Sequence, residues 1–155
     1  MPEPASRKGP AQIIGVVGTA KNTGKTTALL SIVRYLETAG RRAGITGIGY
    51  DGEHIDNLTL LPKPRMEFPA GALVATAERC LKNATLQCRL LLRTGVMSPL
   101  GEVLILEVTS RGRIVVAGPN QRVGLTRIIE GLGETGSEVS LVDGALGRLA
   151  PMSVA

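Results

Sequence analysis

The sequence predicts an α/β domain in three layers, with a mostly parallel sheet of mixed character between helices. Three observations carry this expectation. Short apolar runs rich in β-branched residues alternate along the chain with stretches of helical period. The first run leads through a glycine-bearing loop straight into a helix, which makes a βα unit. The 155 residues, 43% hydrophobic and 20% charged, suit one domain with its own core and are too apolar for a disordered chain.

Each element has a local reason. Residues 1–11 hold three prolines, a glycine and charge with no apolar period, and read as a frayed tail ahead of a single domain over 12–155. Residues 12–17 are a short apolar run stopped by Gly18, as expected of a fully buried parallel strand. Over 25–39, Leu29, Leu30, Ile32, Val33 and Leu36 recur at helical spacing, and Gly40 supplies a C-terminal stop. Residues 44–50 form a glycine-rich second strand. Pro62 and Pro64 punctuate the polar stretch 51–69, which is expected to be a long loop, and loops of that length in compact domains are commonly functional. A third strand is expected over 72–76, and a helix over 78–93 with Leu81, Leu86 and Leu90 to Leu92 on its buried side. Residues 102–108 and 113–117 read as adjacent strands joined by Thr109-Ser110-Arg111-Gly112 in a hairpin, which mixes the sheet. A helix over 121–134 carries Val123, Leu125, Ile128, Ile129 and Leu132, and the strand 138–142 delivers Asp143 at its end. No solenoid-type repeat is present.

Composition excludes several functions. The net charge of +5 is spread over Arg7-Lys8, Arg41-Arg42, Lys63/Arg65 and Arg111/Arg113, and the only aromatics are Tyr35, Tyr50 and Phe68. Neither a basic stripe nor a stacking platform is formed, so nucleic acid is not expected as the ligand. There is no secretory signal pattern and no run near the about 18–20 apolar residues of a membrane span, so a cytoplasmic protein without a membrane partner is expected. On the helix expected over 78–93, Cys80 and Cys88 would stand about 12 Å apart, too far for a disulfide, and they read as two buried inert thiols.

The run Gly18-Thr19-Ala20-Lys21-Asn22-Thr23-Gly24-Lys25-Thr26-Thr27 carries the strongest chemical signal. It follows an apolar strand and opens a helix, the setting in which a phosphate loop works. Glycines let backbone N–H groups wrap a phosphate, and the helix N-terminus adds partial positive charge. Lys25 is placed to reach the β- and γ-phosphates and the Thr26 hydroxyl to ligate Mg²⁺. Gly18, Lys21, Asn22, Thr23, Gly24, Lys25, Thr26 and Thr27 are therefore the nucleotide-binding set. The first glycine falls one residue earlier than in the strict Gly-x-x-x-x-Gly-Lys-Ser/Thr spacing.

Hydrolysis would further require a carboxylate near the metal ion and a group to place water. With only Asp51, Asp56 and Asp143 in the chain, the aspartates can be enumerated. Asp143 ends the apolar run from Val139, and Asp51 ends the strand 44–50, so both are expected at the carboxyl edge of a parallel sheet beside the nucleotide. Lys25, Asp51 and Asp143 are the catalytic candidates, and Thr26, Asp51 and Asp143 the metal candidates. Asp56 and Glu53 stand behind them. An Asp-Gly turn or a helix cap is the structural alternative for the two aspartates. His54, the single histidine, reads first as a surface residue, with a proton role as the alternative. Lys63 and Arg65 either present cations to an acceptor substrate or belong to a solvated loop. No Asn-Lys-x-Asp guanine-reading string occurs, which favours ATP over GTP.

The longer loop resembles that of dethiobiotin synthetase and, more loosely, the SIMIBI class of P-loop proteins. Lys21 is similar to the signature lysine that reaches across a dimer interface in MinD-like relatives, but it lies four residues before Lys25 where that pattern has five, and it reads first as a solvated lysine on the loop. A homodimer is left open by this likeness. Across about residues 13–148, the order of the phosphate loop, Ile48-Gly-Tyr-Asp-Gly-Glu53, Pro62-Lys-Pro-Arg65, Ala75-Thr-Ala-Glu78, Ala117-Gly-Pro119 and Val142-Asp-Gly-Ala-Leu146 resembles a P-loop family. That family is associated with adenosylcobalamin-dependent lysine and ornithine aminomutases. The resemblance implies a slow Mg-dependent ATPase that acts as an accessory or reactivating factor, with the aminomutase or its reactivase subunit as partner. It also implies a chain that continues further than this one. A small-molecule kinase or ATP-dependent ligase, and a non-catalytic nucleotide-sensing module, are the alternatives.

Overall fold

The computed structural model describes residues 11–18, 23–49 and 65–144. These form an α/β fold around a mixed six-stranded sheet. In chain order the elements are β1 Gln12–Val16, α1 Lys25–Thr38, β2 Ala43–Gly47, β3 Met66–Phe68, β4 Leu73–Ala77, β5 Gln87–Ser98, β6 Gly101–Ser110, β7 Gly112–Ile114, α2 Arg122–Glu134 and β8 Val139–Asp143. The large sheet runs β1-β8-β2-β4-β6-β5, and β3 pairs with β7 in a small second sheet.

The first four strands of that order are parallel, which is where the βα connections fall. Register aligns Val16 with Asp143 and Asp143 with Gly47, so three strand ends lie side by side at the carboxyl edge. The remaining two strands are antiparallel, with Ala75 opposite Ile105 and Leu106 opposite Leu90.

Alternation along the strands sorts the core. Leu29, Val33 and Leu36 of α1 pack with Ile45, Val74, Val139 and Leu141, together with Met66, Phe68 and Ile114 from the small sheet. Ile128 and Leu132 of α2 pack with Leu73, Ala75, Val103 and Ile105. Leu125 and Ile129 join Ile48 and Val142. Neighbouring residues such as Leu73 and Val74, or Leu141 and Val142, thus turn to different helices, as a period of two requires when both faces of a sheet are covered. Among the described residues, no helix is long and apolar enough to cross a membrane.

Several sequence expectations change. The stretch 78–93 is not one helix: it is a short 3₁₀ helix, Glu78–Asn83, followed by the long strand β5. Its leucines are extended along β6, and the apparent helical face came from a clustered apolar run whose period is ambiguous. Accordingly, Cys80 and Cys88 sit on different elements. Cys80 is buried and Cys88 only half-buried.

The segments 102–108 and 113–117 do not form a hairpin. Strand β6 lies between β4 and β5, whereas β7 leaves to pair with β3 inside the stretch expected to be loop. Strand β1 is not fully buried: Ile13 is 49% and Ile14 37% exposed. Among the described residues β1 pairs only with β8, so it occupies the rim of the sheet and β8 takes the interior place.

Candidate functional site

The site is built where β1, β8 and β2 end. Strand β1 stops at Val16, and the chain reaches Gly18 before residues 19–22, which lie outside the described residues. It resumes at Thr23 and Gly24, and Lys25 opens α1. Gly24 has φ +82°, a left-handed conformation that a side chain would strain, and it serves as the helix N-cap without a side-chain cap. The first turn of α1 contains no acidic residue. The N–H groups of a helix's first turn lack intrahelical partners and carry the positive end of its dipole, so this end is suited to an anion.

Lys25 turns from the helix towards the strand ends. Its Nζ lies 3.0 Å from Asp143 Oδ1 and donates a 2.5 Å hydrogen bond to Gly144 O. Asp143 is 8% exposed, and its Oδ1 is buried without a hydrogen bond among the described residues, so the contact with Lys25 is an ion pair outside hydrogen-bond angles. The backbone around the carboxylate is already committed. Ile48 N–H donates to Asp143 O at 2.9 Å, and Gly144 N–H donates to Val16 O at 2.9 Å. Thr26 is half-buried and Thr27 exposed beside Lys25 in the same turn.

A second segment crosses this edge from the other side. Thr76 Oγ1 at the end of β4 donates to Val115 O and accepts from Ala117 N–H, each at 2.9 Å. Ala77 N–H donates to Ala117 O at 2.9 Å, and Gly49 N–H donates to Pro119 O at 2.8 Å. Residues 115–120 are thereby fastened across the ends of β4 and β2 and deliver the start of α2 to the same edge. Thr46, fully buried in β2, also has a hydroxyl oxygen without a hydrogen bond among the described residues.

Of the residues expected at the site, Gly18, Thr23, Gly24, Lys25, Thr26, Thr27 and Asp143 are described, and Lys25 and Asp143 are in contact. Lys21, Asn22, Asp51, Glu53, His54, Asp56 and Lys63 lie outside the described residues. Arg65 stands exposed just before β3. Sequence reasoning did not anticipate the carbonyl of Gly144 as an acceptor for Lys25; its only signal was adjacency to Asp143.

Among the described residues no group of three or more His, Cys, Asp or Glu forms a ready metal site. The fit for a cation is narrower: among the described residues, one buried carboxylate, Asp143, has an oxygen outside any hydrogen bond. Such an oxygen suits a hard divalent ion that also takes phosphate and water oxygens. Comparison of the chain with protein-family models, with curated proteins and with solved structures gives no match.

Proposed function

We propose that this chain is a MgATP-binding P-loop domain of three-layer type and a slow ATPase. The observation that supports it best is the approach of Lys25 Nζ to within 3.0 Å of Asp143 Oδ1, where the strand that feeds the glycine loop ends beside the strand that ends in the carboxylate. A loop that wraps phosphate needs a mobile cation and a metal-linked carboxylate at one edge, and these two residues supply both.

In this reading the first-turn N–H groups of α1 hold the phosphate oxygens, and Lys25 swings from Asp143 onto the phosphates. The Thr26 hydroxyl and Asp143 would hold Mg²⁺, which supplies charge neutralisation on the phosphates when bound. Asp51 keeps its place as a further candidate for the metal or the water. The role as an accessory or reactivating factor for an adenosylcobalamin-dependent aminomutase rests on the order of short motifs described above, and belongs to the same proposal.

Titration calorimetry with ATP and Mg²⁺ tests the site. Lys25→Ala is expected to abolish measurable binding while circular dichroism keeps the wild-type spectrum. Unchanged affinity in that variant would refute the assignment. Phosphate release measured with and without the aminomutase, and with and without metabolite pools, separates an accessory ATPase from a kinase or ligase, which turns over only with an acceptor.

A further inference from the structure

We propose that the outer edge of β5 docks an extended segment of a partner protein, one whose sequence reads acid, apolar, apolar, acid. Among the described residues β5 pairs with β6 alone, at the end of the sheet far from β1 and β8. The outward N–H and C=O groups of such an edge strand are a template for an added strand. Arg89 and Arg93 flank Leu90, Leu91 and Leu92 along this edge. Their side chains are 68% and 58% exposed, and each gives one nitrogen inward to β6, Arg89 to Glu107 and Arg93 to Glu102. Glu107 also takes Arg42. The guanidinium groups of Arg42, Arg89 and Arg93 thus meet only the carboxylates of Glu102 and Glu107, and a positive charge is left over for an acidic partner.

Register sets the spacing of the partner's acids. Arg89 stands opposite Glu107, which stands opposite Leu73 on the face covered by α2. Arg93 stands opposite Leu104, which stands opposite Thr76 on the other face, the face of Val74. The two arginines therefore lie on opposite faces although an even number of residues separates them, because β5 carries a register shift between Leu90 and Leu92. On β6 the same interval runs only from Glu107 to Leu104. A regular strand laid on the outer edge follows that shorter count, so carboxylates at its first and fourth positions reach Arg89 and Arg93. The two residues between them meet Leu90, 47% exposed, on one face and the half-buried Leu91 and Leu92 on the other. A second copy of β5 suits this edge poorly, since residues 87–98 contain arginines and no acid, and like charges across a strand pair repel.

The probe is a capped synthetic peptide, Ser-Thr-Thr-Glu-Val-Val-Glu-Thr-Thr-Ser, titrated calorimetrically into the whole chain at low salt. Saturable binding is expected, and it should weaken at least about fivefold when both glutamates become glutamine or when a threonine is inserted before the second glutamate. Arg89→Gln and Arg93→Gln should each weaken it at least about threefold, with Arg89→Lys, which keeps the charge, losing less. Hydrogen exchange followed by mass spectrometry should show slower exchange in β5 with peptide bound and no change in α1. Circular dichroism melting shows that the variants are folded, and the two altered peptides test the same contacts on wild-type protein. No saturable binding up to about 1 mM, or equal affinity for the glutamine or respaced peptide, overturns the proposal. So does slow exchange along all of β5 in the free protein: in a monomer by sedimentation it means that this chain covers the edge itself, and in a dimer that a second copy does.

Discussion

At Gly118 two backbones come closer than any side chain permits. A Cβ there would lie 1.8 Å from the carbonyl oxygen of Gly47 and 3.1 Å from Thr46 Oγ1. The obstacle is backbone of a fully buried strand, so nothing flexible can yield. Gly118→Ala is therefore expected to cost about 3 kcal/mol or more in chemical denaturation, against the smaller loss usual for an added methyl. A loss under about 1 kcal/mol would mean that the crossing segment moves easily. The cysteines make a milder claim at the same scale. Burial pushes the Cys88 thiol above its ordinary value, so less of it is thiolate near neutral pH, and the buried Cys80 is shielded. Both should react slowly with a thiol reagent at neutral pH in the native protein and promptly after denaturation. Lys25 and Asp143 are legible from the residue order alone: one follows a glycine at a helix start, and the other is one of three aspartates and ends an apolar run. Their mutual contact is not legible there, because it depends on β8 lying next to β1, a pairing of residues far apart along the chain.

The elements divide according to how local their causes are. Helix α1, helix α2 and strands β2, β4 and β8 follow from spacing and stop signals within their own windows, and their expected positions hold to within a few residues. Strand β5 does not. Its three successive leucines and flanking arginines suit a helix as well as a strand, and the decision is made by β6, against which it is paired along nearly its whole length. Strand β3 is only three residues long behind two prolines, and β7 chooses it over the nearer β6. The hairpin of β5 and β6 carries its own ionic lacing. Glu107 takes both Arg42 and Arg89, and Glu102 meets Arg93 at 2.7 Å. The N–H of Gly95, at 3.0 Å, is the main cause holding the Glu102 carboxyl below its ordinary value; desolvation opposes it, and Arg93 adds to the lowering. A carboxyl whose folded value is depressed adds stability above its unfolded value and loses it as pH falls through the folded one. An NMR titration should give Glu102 a midpoint below that of an unperturbed glutamate, and a midpoint at or above it would show that the Gly95 bond is not maintained in solution.

Among the described residues, the candidate site joins a buried strand, β8, to an exposed one, β1. The interior strands β8, β2 and β4 are buried along their full length, and both helices fasten to them. The proposed phosphate loop hangs instead from β1, whose Gln12, Ile13, Ile14 and Gly15 are exposed and whose ladder, among the described residues, is with β8 alone. Amide hydrogen exchange is expected to be faster in β1 than in β8 or β2 by at least about tenfold, because local opening of a rim strand breaks one ladder and little packing. Equal protection across the three would mean that β1 is held by more than this ladder. The consequence reaches the ligand. A strand that opens easily lets go of the loop it carries, so any molecule gripping that loop must also hold β1 shut. Occupancy of the loop then becomes a clamp on the rim of the sheet, and the order of β1 becomes a gauge of whether the loop is filled.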